Sequence, residues 1–383
     1  MQDNERQLNS ILEKIVQEIA ITPAMIDKAV KSYEAVGKWI GDGVSYDVQV
    51  SPQGSMNLGT TIKPITDKDD YDIDLVCMLK NGQGLDAEEI KNIVGDRLKE
   101  NEIYRKKIAE EGEGKRCWKM QYDAFHMDIL PCVPRNVIYE EPDSTDIRLT
   151  HKNERQQYED RYSNPYGYRI WFEKRMKESL EANLREFSIR NQVDIKEVPT
   201  YRVPTPLRMA VQLLKRHRDI MFQHDVENKP ISIIITTLAA EAYTGESSIY
   251  EALCQCLKNM SSFIITVDGV DWIPNPVMKQ ENFADKWQIH PERKRAFYEW
   301  LRKAQNDLIT DPLSTLGLEK IKSLYADCLG EAPVNRAFKS IGIDQRMNRD
   351  NNHLYMDGLQ RGLTNELRPN SIPVKKHTFY GKE

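Results

Sequence analysis

The sequence has no apolar run near the ~18 residues that cross a bilayer. Its first residues, Met1-Gln2-Asp3-Asn4-Glu5-Arg6, lack the pattern of a secretory signal. A cytoplasmic protein with no membrane contact is expected. There is no surplus of positive charge: 54 Lys and Arg stand against 59 Asp and Glu, a net charge of −5. Domains that coat nucleic acid are usually basic, so this balance argues against that class, though not against a small basic pocket for a nucleotide. Six cysteines are present (Cys77, Cys117, Cys132, Cys254, Cys256, Cys328), none in Cys-x-x-Cys spacing. Cys254-x-Cys256 has no nearby His or Cys to complete four zinc ligands. Reduced core thiols are the expectation. No internal repeat and no low-complexity tract is visible.

What is there is an ordinary globular composition, 40% hydrophobic and 30% charged over 383 residues. That length suits two lobes. Leu8, Ile11, Leu12, Ile15, Val16 and Ile19 recur at helical spacing, and Thr22-Pro23 closes that helix and caps the next. Both helices, within residues 5–40, are expected to pack on a catalytic sheet. Residues 44–50 read as a strand, 63–70 as a solvated polar loop, 86–100 as an amphipathic helix, and 110–115 as an exposed loop. Residues 117–122 and 124–130 read as a hairpin around Asp123. Residues 164–191 carry an aromatic stripe and read as one long spine helix. Beyond Pro199, Pro204 and Pro206, helices are expected over 207–222, 231–243, 248–260, 292–308 and 318–329. The reading is α+β, with a catalytic lobe at 1–163 and a spine plus helical lobe at 164–383.

The chemistry is carried by Gly54-Ser55-Met56-Asn57-Leu58-Gly59-Thr60 and by Tyr71-Asp72-Ile73-Asp74-Leu75-Val76. The first reads as a turn opening a short helix, whose backbone N–H groups suit phosphate oxygens. The second reads as a buried strand on which Asp72 and Asp74 project the same way. Paired carboxylates at the end of an apolar strand repel each other and lose hydration. A hard divalent cation relieves both costs. A third acid, Asp128, interrupts another apolar run, Phe125-His126-Met127-Asp128-Ile129-Leu130-Pro131. Three such acids can hold two Mg²⁺ or Mn²⁺ ions for in-line nucleotidyl transfer. Each piece alone is common, and Gly-Ser is often an ordinary turn. The combination is not common: Gly-Ser, then Asp-x-Asp beginning seventeen residues after Ser55, then a lone strand acid fifty-six residues after Asp72.

This combination resembles the polymerase-β-like nucleotidyltransferases and, more narrowly, the bacterial cGAS/DncV-like group (CD-NTases) that makes cyclic oligonucleotides. The likeness continues through Pro206-Leu207-Arg208-Met209-Ala210-Val211-Gln212-Leu213-Leu214-Lys215-Arg216-His217-Arg218-Asp219, through Pro230–Leu238, and through Asn275-Pro276 with Glu281–Trp287. It thus spans nearly the whole chain. It implies a polymerase-β-like core with a mixed sheet and a second, helical lobe closing the nucleotide cleft.

By that resemblance the enzyme makes a cyclic di- or trinucleotide messenger from NTPs, releasing pyrophosphate, in anti-phage (CBASS) signalling. Asp72, Asp74 and Asp128 would be its catalytic metal ligands for two ions. Gly54, Ser55, Lys215 and Ser232 would bind substrate, Lys215 as the phosphate-binding lysine. A surface lysine in a basic cluster is the plain alternative for Lys215, which sits on an otherwise apolar face. Simple N-capping is the alternative for Ser232. His126, His151, His217 and His224 are not assigned chemistry. The 282–287 block is expected to pack a loop against the cleft wall.

The implied partners are a nucleotide-activated effector and an ancillary regulator of ubiquitin-like ligase or HORMA type. The animal relatives' zinc insertion has no counterpart, so no obligatory DNA activator is expected, and the chain is expected to act as a monomer. Rival readings are an RNA-extending or small-molecule nucleotidyltransferase, opposed by the charge and the second-lobe blocks, and an inactive nucleotide-binding regulator, opposed by the three acids. In the tail, residues 365–383 read as frayed, though Phe379-Tyr380 suggest docking on the helical lobe or on a partner.

Overall fold

The first apolar stripe folds as helix α1 (Asp3–Ile19), and Thr22 caps α2 (Pro23–Gly41) by accepting from the Met25 N–H at 3.2 Å. The computed structural model describes residues 3–66, 70–135, 145–357, 363, 364, 367 and 370–375. Strand β1 (Val48–Pro52) leads into the five-residue α3 (Gly54–Leu58), and β2 (Tyr71–Leu79) follows. Asp86 caps α4 (Ala87–Glu100) through a reciprocal pair of bonds with Glu89. Asn101 then starts α5 (Glu102–Glu111), which replaces the front of the loop expected at 110–115. Strands β3 (Trp118–Gln121) and β4 (Phe125–Pro134) form the expected hairpin. A second hairpin, β5 (Ile147–Lys152) and β6 (Tyr158–Ser163), completes the sheet.

The sheet is six-stranded and mixed, in the order β1-β2-β4-β5-β6 with β3 also on β4. Among the described residues only β2 and β4 pair in parallel, and Asp74 stands in register with Asp128 while Asp72 stands in register with His126. Strands β3 and β5 share the far edge of β4: β3 pairs residues 126–129 and β5 pairs 132–134. Ile73, Leu75, Met127 and Ile129 turn into a core closed by α2, α4 and α5. The carboxylates therefore lie on the opposite face, as strand alternation requires.

The expected spine is two helices, α6 (Pro165–Arg175) and α7 (Lys177–Asn191). Met176 leaves helical geometry between them (φ −118°, ψ 25°) and is buried, its sulfur beside the Thr205 hydroxyl. The second lobe continues with α8 (Pro206–Met221), α9 (Ser232–Ala242) and α10 (Ile249–Asn259). Two small hairpins follow, β7 (Ile265–Val267) with β8 (Val270–Trp272) and β9 (Pro274–Asn275) with β10 (Met278–Asn282). Helices α11 (Pro291–Gln305), α12 (Asp311–Ser314), α13 (Leu318–Leu329) and α14 (Glu331–Asp350) close the lobe. A short sheet of β11 (Tyr355–Asp357), β12 (Leu363–Thr364) and β13 (Ser371–Pro373) ends it.

One packing expectation is corrected. Leu8, Ile11, Leu12, Ile15, Val16 and Ile19 of α1 are buried in the helical core, with residues of α8, α10, α13 and α14, and not on the sheet. Helix α2 does pack on the sheet, through Ala29, Val36 and Ile40. The six cysteines are free thiols, and five of them are buried.

Candidate active site

The site starts at the end of β1, where the Gln53 N–H donates to the Asp74 carbonyl at 2.8 Å. That bond sets the first turn of α3 against β2. Gly54 takes φ +57°, and a Cβ there would stand 2.6 Å from Asp74 Oδ2. Only glycine both accepts this backbone and leaves the carboxylate its space. At the other end Gly59 takes φ +68°, where a Cβ would meet the Tyr201 carbonyl at 2.5 Å. Its turn returns the Thr60 N–H to the Ser55 carbonyl at 2.9 Å.

Asp72, Asp74 and Asp128 share one sheet face. Burial raises the Asp74 pKa to about 6, helped by the charges of Asp128 and Asp72 and opposed by Lys215 and Lys119. Asp72 is also raised: its carboxyl is shielded from bulk water although the residue reaches the surface. Asp128 adds to the shift, and His126, Lys119 and Lys229 oppose it. The Cys117 thiol donates to Asp128 Oδ2 at 3.3 Å, and its own pKa is pushed up to about 12 by burial and that acid. Asp70, at the mouth, lies 3.4 Å from His126 Nε2 and accepts from the Gln121 amide.

Among the described residues, no three or more His, Cys, Asp or Glu side chains close into a ready-made metal cage. Mg²⁺ does not require one, because it keeps waters and substrate phosphate oxygens beside one or two carboxylates. The donor set fits such an ion on two counts. Its oxygens are hard and mutually repelling, and the missing Cβ of Gly54 leaves room beside Asp74 Oδ2.

The facing wall comes from α8. Lys215 is buried, and its ammonium donates to the Thr60 carbonyl (3.2 Å) and hydroxyl (3.0 Å). Burial and the neighbouring Arg218 bring its pKa down to about 7, against the pull of Asp219 and Asp74. The helix face is not otherwise apolar, as its sequence suggested. Arg208, Gln212, Arg216, His217 and Arg218 are buried as well. Four of the side chains on this helix hold the end of α3 and the strap that leads from it to β2. Arg208 Nε donates to the Leu58 carbonyl (2.8 Å) and Gln212 Nε2 to the Thr61 carbonyl (3.0 Å). Lys215 takes Thr60, and Arg216 Nη2 takes the Lys63 carbonyl (2.6 Å).

Ser232 is the first residue of α9, and Ile231 occupies the N-cap position, so Ser232 does not cap the helix. Its hydroxyl instead accepts from Arg218 Nη1 at 2.8 Å. Arg218 also pairs with Asp219, which draws in Lys229 at 3.4 Å.

Between the lobes lies a cleft of about 640 Å³. Ser55, Asp72, Lys215 and Ser232 all line it, with Thr60, Thr61 and Arg218. Phe283, Lys286, Trp287 and Arg293 form its outer wall, so the 282–287 block reaches the cleft itself. Asn282 folds that block, accepting from the Ile273 and Ala284 N–H groups and donating to the Asp271 carbonyl. Gly54, Asp74 and Asp128 are not among the residues lining the cleft. Sequence reasoning missed Arg208, Gln212 and Arg216 because their partners are carbonyls about 150 residues away in the chain.

Comparison with known proteins bears on the family and the fold. Residues 48–131 match the family described as "Cyclic GMP-AMP synthase DncV-like, nucleotidyltransferase domain". The chain is 33% identical over 386 aligned residues to the c-di-GMP synthase of Roseivirga ehrenbergii, covering 98% of this chain and 97% of that protein. Among solved structures, it resembles Bradyrhizobium diazoefficiens CdnG in complex with GTP (TM-score 0.67, 21% identity), over 88% of this chain and 99% of the other. It also resembles the E. coli CdnC:HORMA-deltaN complex (TM-score 0.55, 13% identity), over 84% and 96%.

Proposed function

Because the chain belongs to the bacterial cGAS/DncV-like nucleotidyltransferases, we propose that it joins nucleoside triphosphates, GTP among them, into a cyclic dinucleotide and releases pyrophosphate. It is a nucleotidyltransferase of the cyclic oligonucleotide synthase class. The observation that carries the finer reading is the register of Asp74 with Asp128 beside Asp72 on one sheet face, with Ser55 and Lys215 lining the same cleft as Asp72. The choice of a dinucleotide containing guanine rests on the c-di-GMP synthase and on the GTP complex of CdnG. Similarity to a cyclic dinucleotide synthase over 98% of the chain supports this above the RNA-end and drug-modifying readings.

In this reading a sugar hydroxyl of one nucleotide attacks the α-phosphorus of the other. The new P–O bond forms, the bond to the β-phosphate breaks, and pyrophosphate leaves. Asp128 takes the hydroxyl proton. Gly54 and Ser55 seat the triphosphate, and Lys215 and the Ser232–Arg218 pair face its β- and γ-oxygens. A second attack on the linear product closes the ring. Two Mg²⁺ or Mn²⁺ ions would be held by Asp72, Asp74 and Asp128, and would supply Lewis-acid activation of the hydroxyl and charge neutralisation at the leaving phosphates. The product serves a nucleotide-gated effector in anti-phage signalling. An ancillary regulator of HORMA type is part of the proposal, supported by the fold shared with CdnC, which was solved in a HORMA complex.

The test is incubation with each NTP and with mixtures, with Mg²⁺ or Mn²⁺, followed by phosphatase treatment and mass spectrometry. Phosphatase-resistant cyclic dinucleotide containing guanine is expected. Only linear oligomers, or no product from any NTP mixture, would overturn the proposal.

A further inference from the structure

Ser55 does not stand alone in the cleft. Its hydroxyl lies 3.0 Å from the Thr61 hydroxyl. Thr61 is 6% exposed, and its carbonyl is held by the buried Gln212 of α8 at 3.0 Å. The preceding residue is fixed as firmly: Thr60 donates its N–H to the Ser55 carbonyl and receives the Lys215 ammonium on its carbonyl and hydroxyl. Two adjacent threonines thus join Ser55 to one face of a helix from the other lobe. The two contacts do different things. Thr60 holds the Ser55 backbone, and Thr61 hydrogen-bonds its side chain.

We propose that Thr61 is a positioning residue that aims the Ser55 hydroxyl proton into the cleft, with Gln212 holding Thr61 in place. A serine hydroxyl has one proton and rotates freely among staggered positions. An anionic phosphate oxygen must receive that proton to gain a charge-assisted bond. Thr61 provides the arrangement: when its hydroxyl donates to Ser55 Oγ, the Ser55 proton is released toward the phosphate, and the two-hydroxyl chain polarises in the helpful direction. Without Thr61 the Ser55 hydroxyl rotates among its staggered positions with nothing to set its proton's direction. Because Gln212 belongs to α8, displacement of that helix would move Thr61 and so re-aim Ser55. The proposal rests on the phosphate role of Ser55 set out above.

The experiment uses the full chain and a non-hydrolysable GTP analogue with Mg²⁺, with the dissociation constant, KM, kcat and Tm measured for each variant. Thr61→Val keeps the shape and removes the hydroxyl. The expected result is about a five-fold weaker analogue affinity and a matching rise in KM, with kcat within about two-fold and Tm unchanged. Thr61→Ser restores the hydroxyl and should recover the affinity. In a Ser55→Ala background, Thr61→Val should add nothing, since it acts only through Ser55.

If Thr61→Val disturbs folding, Thr61→Ala carries the same cycle. A full additive loss in the double variant overturns the relay. So does an unchanged affinity in Thr61→Val when Ser55→Ala weakens binding. If Ser55→Ala itself leaves affinity unchanged, the phosphate role of Ser55 fails first and the relay falls with it.

Discussion

Asp74 and Lys215 stand on opposite lobes, and burial works against the charge of both. It raises the Asp74 carboxyl to about 6 and lowers the Lys215 ammonium to about 7, although each residue favours ionisation of the other. The free enzyme thus holds an under-compensated acid and an under-compensated base. A metal–triphosphate complex supplies the missing charge to each, cation to acid and anion to base.

The acid side gives a stability prediction whose sign follows from linkage. The Asp74 pKa in the folded protein, about 6, lies above the ordinary carboxylate value of 3.8. The cost of ionising it in the fold therefore develops as pH rises through that window and is complete above it. At pH 7.5 without metal, Asp74→Asn should stabilise the protein on the order of 1 kcal/mol, about 1 °C in Tm. It should also lose activity and most of the Tm increase produced by Mg²⁺ with a GTP analogue. A lower metal-free Tm in the variant, with metal-dependent stabilisation retained, would refute the assignment.

The base side gives a proton count. Well above pH 7, Lys215 in the free enzyme is largely neutral, and a bound triphosphate favours its ammonium form. At pH 8, calorimetric titration with a GTP analogue and Mg²⁺ in buffers of different ionisation enthalpy should show proton uptake at this residue. The wild type should take up more protons than Lys215→Met, by up to one. Equal uptake in both would remove Lys215 from the phosphate site.

Much of the catalytic lobe was legible because its signals are local. Alternation along Tyr71–Leu79 announces a strand, and two acids on its period announce a face. The helical lobe was less so. The sequence reading sets Lys215 on an otherwise apolar face, whereas Arg208, Gln212 and Arg216 are buried polar residues of the same helix. Their burial depends on carbonyls from Leu58, Thr60, Thr61 and Lys63, which no local pattern reveals. The break at Met176 was invisible for a similar reason. Methionine is a good helix former, and what places it out of helical geometry is tertiary packing, with Thr205 against its sulfur. The apolar stripe of α1 gave its helix correctly but not its partner, because a stripe states how much surface is to be buried and not against what.

Gly54 gives the sharpest steric prediction. Gly54→Ala must place a methyl 2.6 Å from Asp74 Oδ2 on a backbone at φ +57°. Either the carboxylate or the turn gives way. Both outcomes displace the donor that this site offers a metal, so turnover should fall at least about ten-fold. The Mg²⁺ concentration for half-maximal rate should rise with it. Gly84→Ala is the control, since a Cβ there meets nothing within 4 Å. Equal activity of the two variants would count against the packed contact between α3 and β2.

The last prediction concerns the C-terminal segment. Residues 376–383, with Phe379 and Tyr380, lie outside the described residues, and the docking suggested for them is not addressed by the structure. The residues before them do return to the helical lobe. Ser371–Pro373 pair antiparallel with Tyr355–Asp357, and the Val374 N–H donates to the carbonyl of the buried Leu354. Truncation after Asn370 removes that strand and exposes one edge of β11; truncation after Lys375 leaves both intact. The first should lower Tm by about 1 °C, from a few exposed backbone bonds worth about 1 kcal/mol together. The second should leave Tm unchanged. Neither should alter turnover, because no residue beyond Arg293 lines the cleft among the described residues. If the longer truncation leaves Tm unchanged, β13 contributes nothing to the fold. If the shorter one lowers it, residues 376–383 dock on their own lobe, which leaves less reason to assign them to a partner.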